Sequence, residues 1–263
     1  MTVEDMIPAY CINLDRRTDR WLHMSGMFER IGLTVERLPA TDGQDPQAAL
    51  VLAQHPAAAL LSTGALACFE SHRRAWQRLI DSGASHALVF EDDLLIAPGL
   101  ARFQQAGWIP PEVNLVKIET NGNRLHLARY PLYKISDDRT LVRLNSYHAG
   151  AGGYILSCGL ARKLLPLSRD CLEPVDDFLF DRFGRYGFIA HQMVPAPVMQ
   201  GKSQLARAQA GNWAEASITE HWTDTVEDSS DQKEGLVGRV LRRVREELRA
   251  RRLGSRYVAV PWG

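Results

Sequence analysis

A chain of 263 residues with 45% hydrophobic and 24% charged side chains is long enough for one large α/β domain or two small ones, and has the make-up of a soluble protein. Basic and acidic residues balance at 31 each, which excludes a global electrostatic case for nucleic acid or for a strongly acidic substrate. No run approaches the roughly 18 apolar residues that cross a bilayer, the first ten residues lack the basic and apolar regions of a secretory signal, and Cys11, Cys68, Cys158 and Cys171 stand far apart without a CxxC. A cytoplasmic protein with reduced thiols and no structural zinc is the expectation.

The first strong segment, Ile7 to Leu14, is a short apolar run that reads as a buried strand. Arg16 to Ile31 follows with Trp21, Met24, Met27, Phe28 and Ile31 at helical spacing and Gly32 as a stop signal. Leu33 to Leu38 completes a strand–helix–strand opening, which points to a parallel sheet. Pro46 to Leu61 reads as a short helix and loop. Thr63 to Leu79 carries Leu66, Phe69, His72, Trp76 and Leu79 along one helical face. Strands are expected at Ala87 to Phe90, Leu115 to Glu119 and Gly152 to Ser157, and helices at Leu160 to Leu167 and Asp177 to Phe183. Composition turns polar after about Gly201, so residues 1–200 are read as the catalytic unit and 201–263 as a C-terminal appendage.

Chemistry concentrates where the apolar strand Ala87 to Phe90 runs into Glu91, Asp92 and Asp93. Open α/β sheets bind ligands at the carboxyl ends of their strands. Strand alternation would send Glu91 and Asp93 one way and Asp92 the other. Two carboxylates on a short tether suit a hard divalent cation that keeps positions open for substrate phosphates. A solvated acidic turn is the alternative.

Further segments stand in order around the acids: Ile12-Asn13-Leu14-Asp15-Arg16-Arg17, Ala40-Thr41-Asp42-Gly43, Cys68-Phe69-Glu70-Ser71-His72, Gly150 to Ser157, and Pro174-Val175-Asp176. Together they resemble glycosyltransferase family 25 over about residues 7 to 200, with Ala67 where the family's usual glycine precedes the cysteine. The resemblance implies a GT-A-like α/β fold with a mostly parallel central sheet. It also implies Mn²⁺ or Mg²⁺ on the acidic motif, a UDP-sugar donor (often UDP-galactose) and inversion at the anomeric carbon. A hexosyltransferase acting on a glycan or glycolipid acceptor, such as a lipooligosaccharide core, is the resulting expectation.

In this frame Asp93 and Glu91 are the expected cation ligands, with Asp92 beside them at the donor. Asn13, Leu14, Arg16 and Arg17 follow the first strand and either contact the nucleotide or form a solvated helix face. Thr41 and Asp42 either meet the uridine or simply make an Asp-Gly turn. Ser71 and His72 sit on the helix just before the acidic strand, and His72 is either a phosphate or sugar contact or a satisfied core residue. An inverting transfer needs a carboxylate base distinct from the metal ligands, for which Asp176 and Asp177 are the candidates; the alternative is a helix N-cap, preferred for Asp177. His148 is expected at the acceptor or diphosphate, and Gln200 at the metal or donor.

Val237 to Leu253 holds seven arginines and two glutamates, with Val237, Val240, Leu241, Val244 and Leu248 at helical spacing. Such a basic amphipathic helix either lies peripherally on the cytoplasmic face of the inner membrane or packs on protein. Two rivals to the transferase are a non-catalytic glycan- or nucleotide-binding module of the same fold and a metal-dependent phosphohydrolase. The latter would need a second cluster of ligands that the sequence does not offer.

Overall fold

The computed structural model describes residues 6–180, 185–201, 244, 247–248 and 250–263. Its first strand, β1 (Ala9–Asn13), is buried at every position. Helix α1 (Thr18–Ile31) follows and ends at Gly32, whose φ of 72° closes the C-terminal turn. Next come β2 (Glu36–Pro39), α2 (Pro46–Leu52) and a 3₁₀ turn at Pro56–Ala59. The long helix α3 (Thr63–Ser82) starts at Ser62, whose side chain accepts from the Ala65 amide. After β3 (His86–Phe90) and β4 (Leu94–Ile96) come β5 (Leu115–Lys117), β6 (Glu119–Thr120), β7 (Arg124–Ala128), β8 (Tyr133–Lys134) and β9 (Thr140–Arg143). The remaining elements are β10 (Gly153–Ser157), α4 (Cys158–Leu167), α5 (Val175–Leu179), β11 (His191–Val194), β12 (Val198–Gln200) and β13 (Ser255–Ala259).

The main sheet has eight strands in the order β2-β1-β3-β10-β5-β11-β9-β8. Pairing is parallel for β2, β1 and β3 and for β5 with β11, while β10 and β9 run against their neighbours. Six of the eight strands therefore point one way, and the expected mostly parallel α/β fold is what the chain forms. Period-two alternation explains the apolar runs. Tyr10, Ile12, Val89, Tyr154 and Leu156 pack with Phe69, Trp76, Leu79, Leu164 and Phe178 on the α3–α4–α5 side. Ala9, Cys11, Leu88, Phe90 and Ile155 pack with Met24, Met27 and Phe28 of α1 on the other.

Two expectations change. Leu115 to Glu119 is not one strand: the chain steps at Ile118 from β5 in the main sheet to β6 in a second sheet ordered β4-β12-β6. The alternation expected to carry Glu91 and Asp93 to one side does not extend that far, because β3 ends at Phe90 and the acids occupy the bend between the two sheets. The polypeptide returns to the domain at its end, where β13 pairs antiparallel with β7. Of the basic segment 237–253, residues 244, 247–248 and 250–252 are helical, and most of the rest lies outside the described residues.

Candidate active site

The three acids turn to three different partners. Asp92 is buried, with Oδ2 accepting from Asn13 Nδ2 at 2.6 Å and Oδ1 paired with Arg20 Nη1 at 3.0 Å. Asn13 Nδ2 also donates to the Arg17 carbonyl at 3.1 Å, and its Oδ1 accepts from Arg37 Nε at 2.8 Å. The amide of Asn13 is thus spent in joining the ends of β1, β2 and β3. Glu91 faces α3, with Oε1 3.3 Å from His72 Nε2 and 3.7 Å from Cys68 Sγ. Asp93 is buried, and its carbonyl accepts from the Gly201 amide at 2.9 Å, which ties it to the end of β12.

Beside them the β1 and β2 ends form a small polar shelf. Arg16 Nε meets Asp42 Oδ2 at 2.8 Å, and Asp42 Oδ1 accepts from the Gln44 amide at 2.9 Å. The Gln44 N–H first, and then Arg16, hold the Asp42 carboxyl below its ordinary value. The Leu14 carbonyl accepts from the Arg17 amide at 2.9 Å. Arg17 itself folds back onto Asp19 at 2.8 Å. Ser71 Oγ accepts from the Thr41 amide at 2.9 Å and donates to the Ala67 carbonyl at 2.7 Å, so it fastens the shelf to α3.

The segment before β10 connects the acids to Asp176. The Glu91 amide donates to the Gly152 carbonyl at 2.9 Å. Two residues away, the Gly150 amide donates to Asp176 Oδ2 at 2.8 Å, and Tyr147 Oη donates to the same oxygen at 2.6 Å. Asp176 Oδ1 has no hydrogen-bond partner among the described residues. Asp177 is buried and does not cap α5: the N-cap is Pro174, with no side-chain cap bond, and both acids lie in the first turn. There they suit the positive end of the helix.

Beneath this segment lies a charged pair of side chains with no exposure, Lys117 and Glu119, whose Nζ and Oε1 are 3.4 Å apart. Lys117 donates to the Gly150 carbonyl and lies 4.0 Å from the centre of the Phe180 ring, where the π face favours an ammonium. Glu119 Oε2 accepts from the Gly153 amide at 2.8 Å. Burial pushes the Lys117 amine down and the Glu119 carboxyl up, and the attraction between them opposes both shifts. Gln192 Nε2 donates to the carbonyls of Lys117, Glu119 and Met193 at 3.1–3.2 Å. Its Oε1 is left to accept from His148 Nδ1 at 3.1 Å, which makes Nδ1 the protonated nitrogen. His148 is only 1% exposed. Burial, and then the Lys117 charge, push its imidazole well below the ordinary value. It is a neutral floor residue rather than the expected contact at the acceptor edge.

Gly150 has φ of 90°, and a Cβ there would collide with Glu119 Oε1 and stand 3.4 Å from Gln200 Nε2. The Gly150→Ala variant should lose about 2–4 kcal/mol in urea unfolding, from positive-φ strain and overpacking together. Gly26→Ala in α1, where nothing lies within 4 Å, should instead gain about 0.5–1 kcal/mol. A Gly150→Ala protein as stable as the wild type would mean that the loop has room the geometry denies.

The structure brings together Glu91, Asp92, Asp93, Asn13, Asp176 and Gln200 at the carboxyl edge of the sheet, and places Ser71 and His72 behind them. Lys117, Glu119, Tyr147 and Gln192 were not singled out from sequence, and Tyr154 entered only as part of the Gly150 to Ser157 segment, without a role of its own. The signal for the first two was available: lysine and glutamate at alternate positions in Leu115-Val-Lys-Ile-Glu, an otherwise apolar strand.

A family described as "Glycosyltransferase family 25 (LPS biosynthesis protein)" matches residues 6–179. The lacto-N-neotetraose biosynthesis glycosyltransferase LgtB of Neisseria meningitidis serogroup B is 31% identical over 231 residues, covering 81% of this chain and 82% of that protein. LgtE of Neisseria gonorrhoeae is 28% identical over 204 residues, 71% of each chain. A glycosyltransferase 25 family member from Drosophila pseudoobscura pseudoobscura is 31% identical over 196 residues, covering 67% of this chain but 30% of the longer insect protein. The chain belongs to glycosyltransferase family 25.

Proposed function

We propose that this glycosyltransferase moves a hexose, galactose first among them, from a UDP-sugar to a glycan acceptor of the lipopolysaccharide-core type, with inversion at the anomeric carbon. One observation carries the reading. The Gly150–Gly153 segment is bonded to the Glu91 backbone amide through the Gly152 carbonyl and to the Asp176 carboxylate through the Gly150 amide, so one short segment links the donor-side acids to a separate carboxylate.

The oxygen donors fit a hard divalent cation. Glu91 and Asp93, with the Gln200 amide near, would hold Mn²⁺ or Mg²⁺, while Asp92 is committed to Arg20 and Asn13. When bound, such an ion neutralises charge on a leaving diphosphate. Arg16, Thr41 and Asp42 lie where β1 and β2 end and offer hydrogen-bonding groups to the uridine. Asp176 takes the proton of the attacking hydroxyl: Oδ2 is fixed by two donors, and Oδ1 is the oxygen available to the acceptor. Tyr147 and Gly150 set the orientation of that carboxylate.

The description of the family as an LPS biosynthesis protein, and the part of the Neisseria relatives in lacto-N-neotetraose biosynthesis, support an acceptor of the lipopolysaccharide-core type. The cytoplasmic face of the inner membrane is the proposed place of action. Val244 and Leu248 are exposed beside the exposed Arg251 and Arg252, a mixture that suits an anionic surface.

Calorimetric titration of a panel of nucleotide sugars with Mn²⁺, with and without chelator, on wild type and Asp93→Ala tests the donor site. Binding of one UDP-sugar, lost with chelator and weakened about 10-fold or more in the variant, is the expected result. Absence of binding to any nucleotide sugar sinks the donor assignment and leaves a binding module of the same fold.

A further inference from the structure

Sγ of Cys68, Nε2 of His72 and a carboxylate oxygen of Glu91 all lie within 4.8 Å of one another. Cys68 and His72 are four residues apart on one face of α3, a spacing that also serves zinc sites. The hydrogen bonds behind the trio decide what it is. Trp76 Nε1, which can only donate, gives its proton to Tyr154 Oη at 2.9 Å. Tyr154 is completely buried, and its other hydrogen-bond partner is His72 Nδ1 at 2.9 Å. The phenol must therefore donate to Nδ1, since no other acceptor reaches it among the described residues. Nδ1 is then the unprotonated nitrogen, and Nε2 carries the hydrogen that points at Glu91 Oε1, 3.3 Å away. The Cys68 thiol reaches the same oxygen at 3.7 Å.

We infer that Trp76, Tyr154 and His72 form a fixed donor chain that positions the Glu91 carboxylate, and that the Cys68–His72–Glu91 trio is a hydrogen-bonded clamp rather than a cation site. The direction of the chain begins at an indole, which cannot reverse its role. A metal on Nε2 would need that proton removed and would leave the Tyr154 hydroxyl without an acceptor. Such a loss is costly for a phenol that burial keeps protonated. Its importance for turnover rests on the proposed role of Glu91 at the donor, and Trp76, Tyr154 and His72 act as positioning residues without touching substrate. Two donors on one oxygen leave acceptor capacity on the carboxylate for a cation, since an ionised carboxylate offers about four acceptor sites.

The tautomer can be read without donor or activity, by long-range ¹H–¹⁵N NMR of His72 in the full chain. The expected spectrum shows Nε2 protonated and Nδ1 bare; the opposite tautomer overturns the inference. Amide variants then separate geometry from bulk. The His72→Gln variant can place an N–H near the Nε2 position and should bind Mn²⁺ with a UDP-sugar almost as the wild type does. His72→Asn places its amide near Nδ1 and should weaken that binding by about 10-fold or more. Equal affinities in the two variants overturn the inference. So does a thiolate-to-cobalt absorption band on adding Co²⁺ that disappears in Cys68→Ser, because the trio would then be a metal site. A wild type with the expected tautomer that binds no nucleotide sugar refutes the donor reading and leaves the chain of hydrogen bonds standing.

Discussion

Replacing Asp176 with asparagine should lower kcat by about 10²–10⁴-fold while changing donor affinity only about 2-fold, because general-base catalysis is lost and the donor side is untouched. Asparagine keeps the shape and can still accept from the Gly150 amide and from Tyr147 Oη, so the segment before β10 should stay in place. What it lacks is the second carboxylate oxygen that would take a proton. Donor affinity by calorimetry and kcat at saturating acceptor give the two halves of the measurement. A parallel fall in both would make Asp176 a structural support of the cleft. A variant retaining more than about a tenth of the wild-type rate would place the base elsewhere, since such a small loss is below the usual contribution of a base. Asp177 offers a control: it is buried, so Asp177→Asn should act mainly on stability.

Much of the fold could be read from local pattern. The run Ile7 to Leu14, the helical stripe of α1 with Gly32 after it, and the stripe Leu66, Phe69, His72, Trp76 and Leu79 of α3 are signals carried within short segments, and each marks a real element. Strand order is another matter. Nothing near β10 announces that it inserts antiparallel between β3 and β5, because pairing partners so far away in the chain leave no local mark. The step at Ile118 from one sheet to the other was hidden for the same reason. So was β13, whose exposed Arg256 and Tyr257 do not look like a strand until β7 is placed beside them.

The site divides along a similar line. Residues that end strands of a parallel sheet were legible as a group, since topology alone brings the ends of β1, β2 and β3 to one edge. Their individual tasks were not, because a task depends on which partner is within 3 Å. Asn13 and Asp92 both looked available for a ligand, and they are joined to each other. Ser71 fastens a backbone amide. His72 was left between ligand contact and satisfied core residue, and the structure satisfies both of its nitrogens from within the protein. Asp176, proposed as the base, is oriented through one carboxylate oxygen by Tyr147 and the Gly150 amide.

The buried pair under the cleft leads to the second large effect. Lys117→Met should destabilise the protein by about 3–5 kcal/mol, because it strands the Glu119 charge at a side chain with no solvent exposure. Glu119→Gln should cost about the same by stranding Lys117. The double variant should recover much of the loss, so that the two changes are far from additive, since two neutral side chains of similar size carry no uncompensated charge. Urea unfolding of the four proteins closes the cycle, and additive losses would show that the 3.4 Å pair is not coupled energetically. Activity should separate the double variant from its stability. Lys117 donates to the Gly150 carbonyl and Glu119 accepts from the Gly153 amide; glutamine at 119 can still accept there, so a stable double variant loses the lysine's hold on the segment that joins Glu91 to Asp176. A double variant with recovered stability and a rate reduced about 10-fold or more would place the role of the pair in alignment of the cleft. Full recovery of both would confine the pair to the fold.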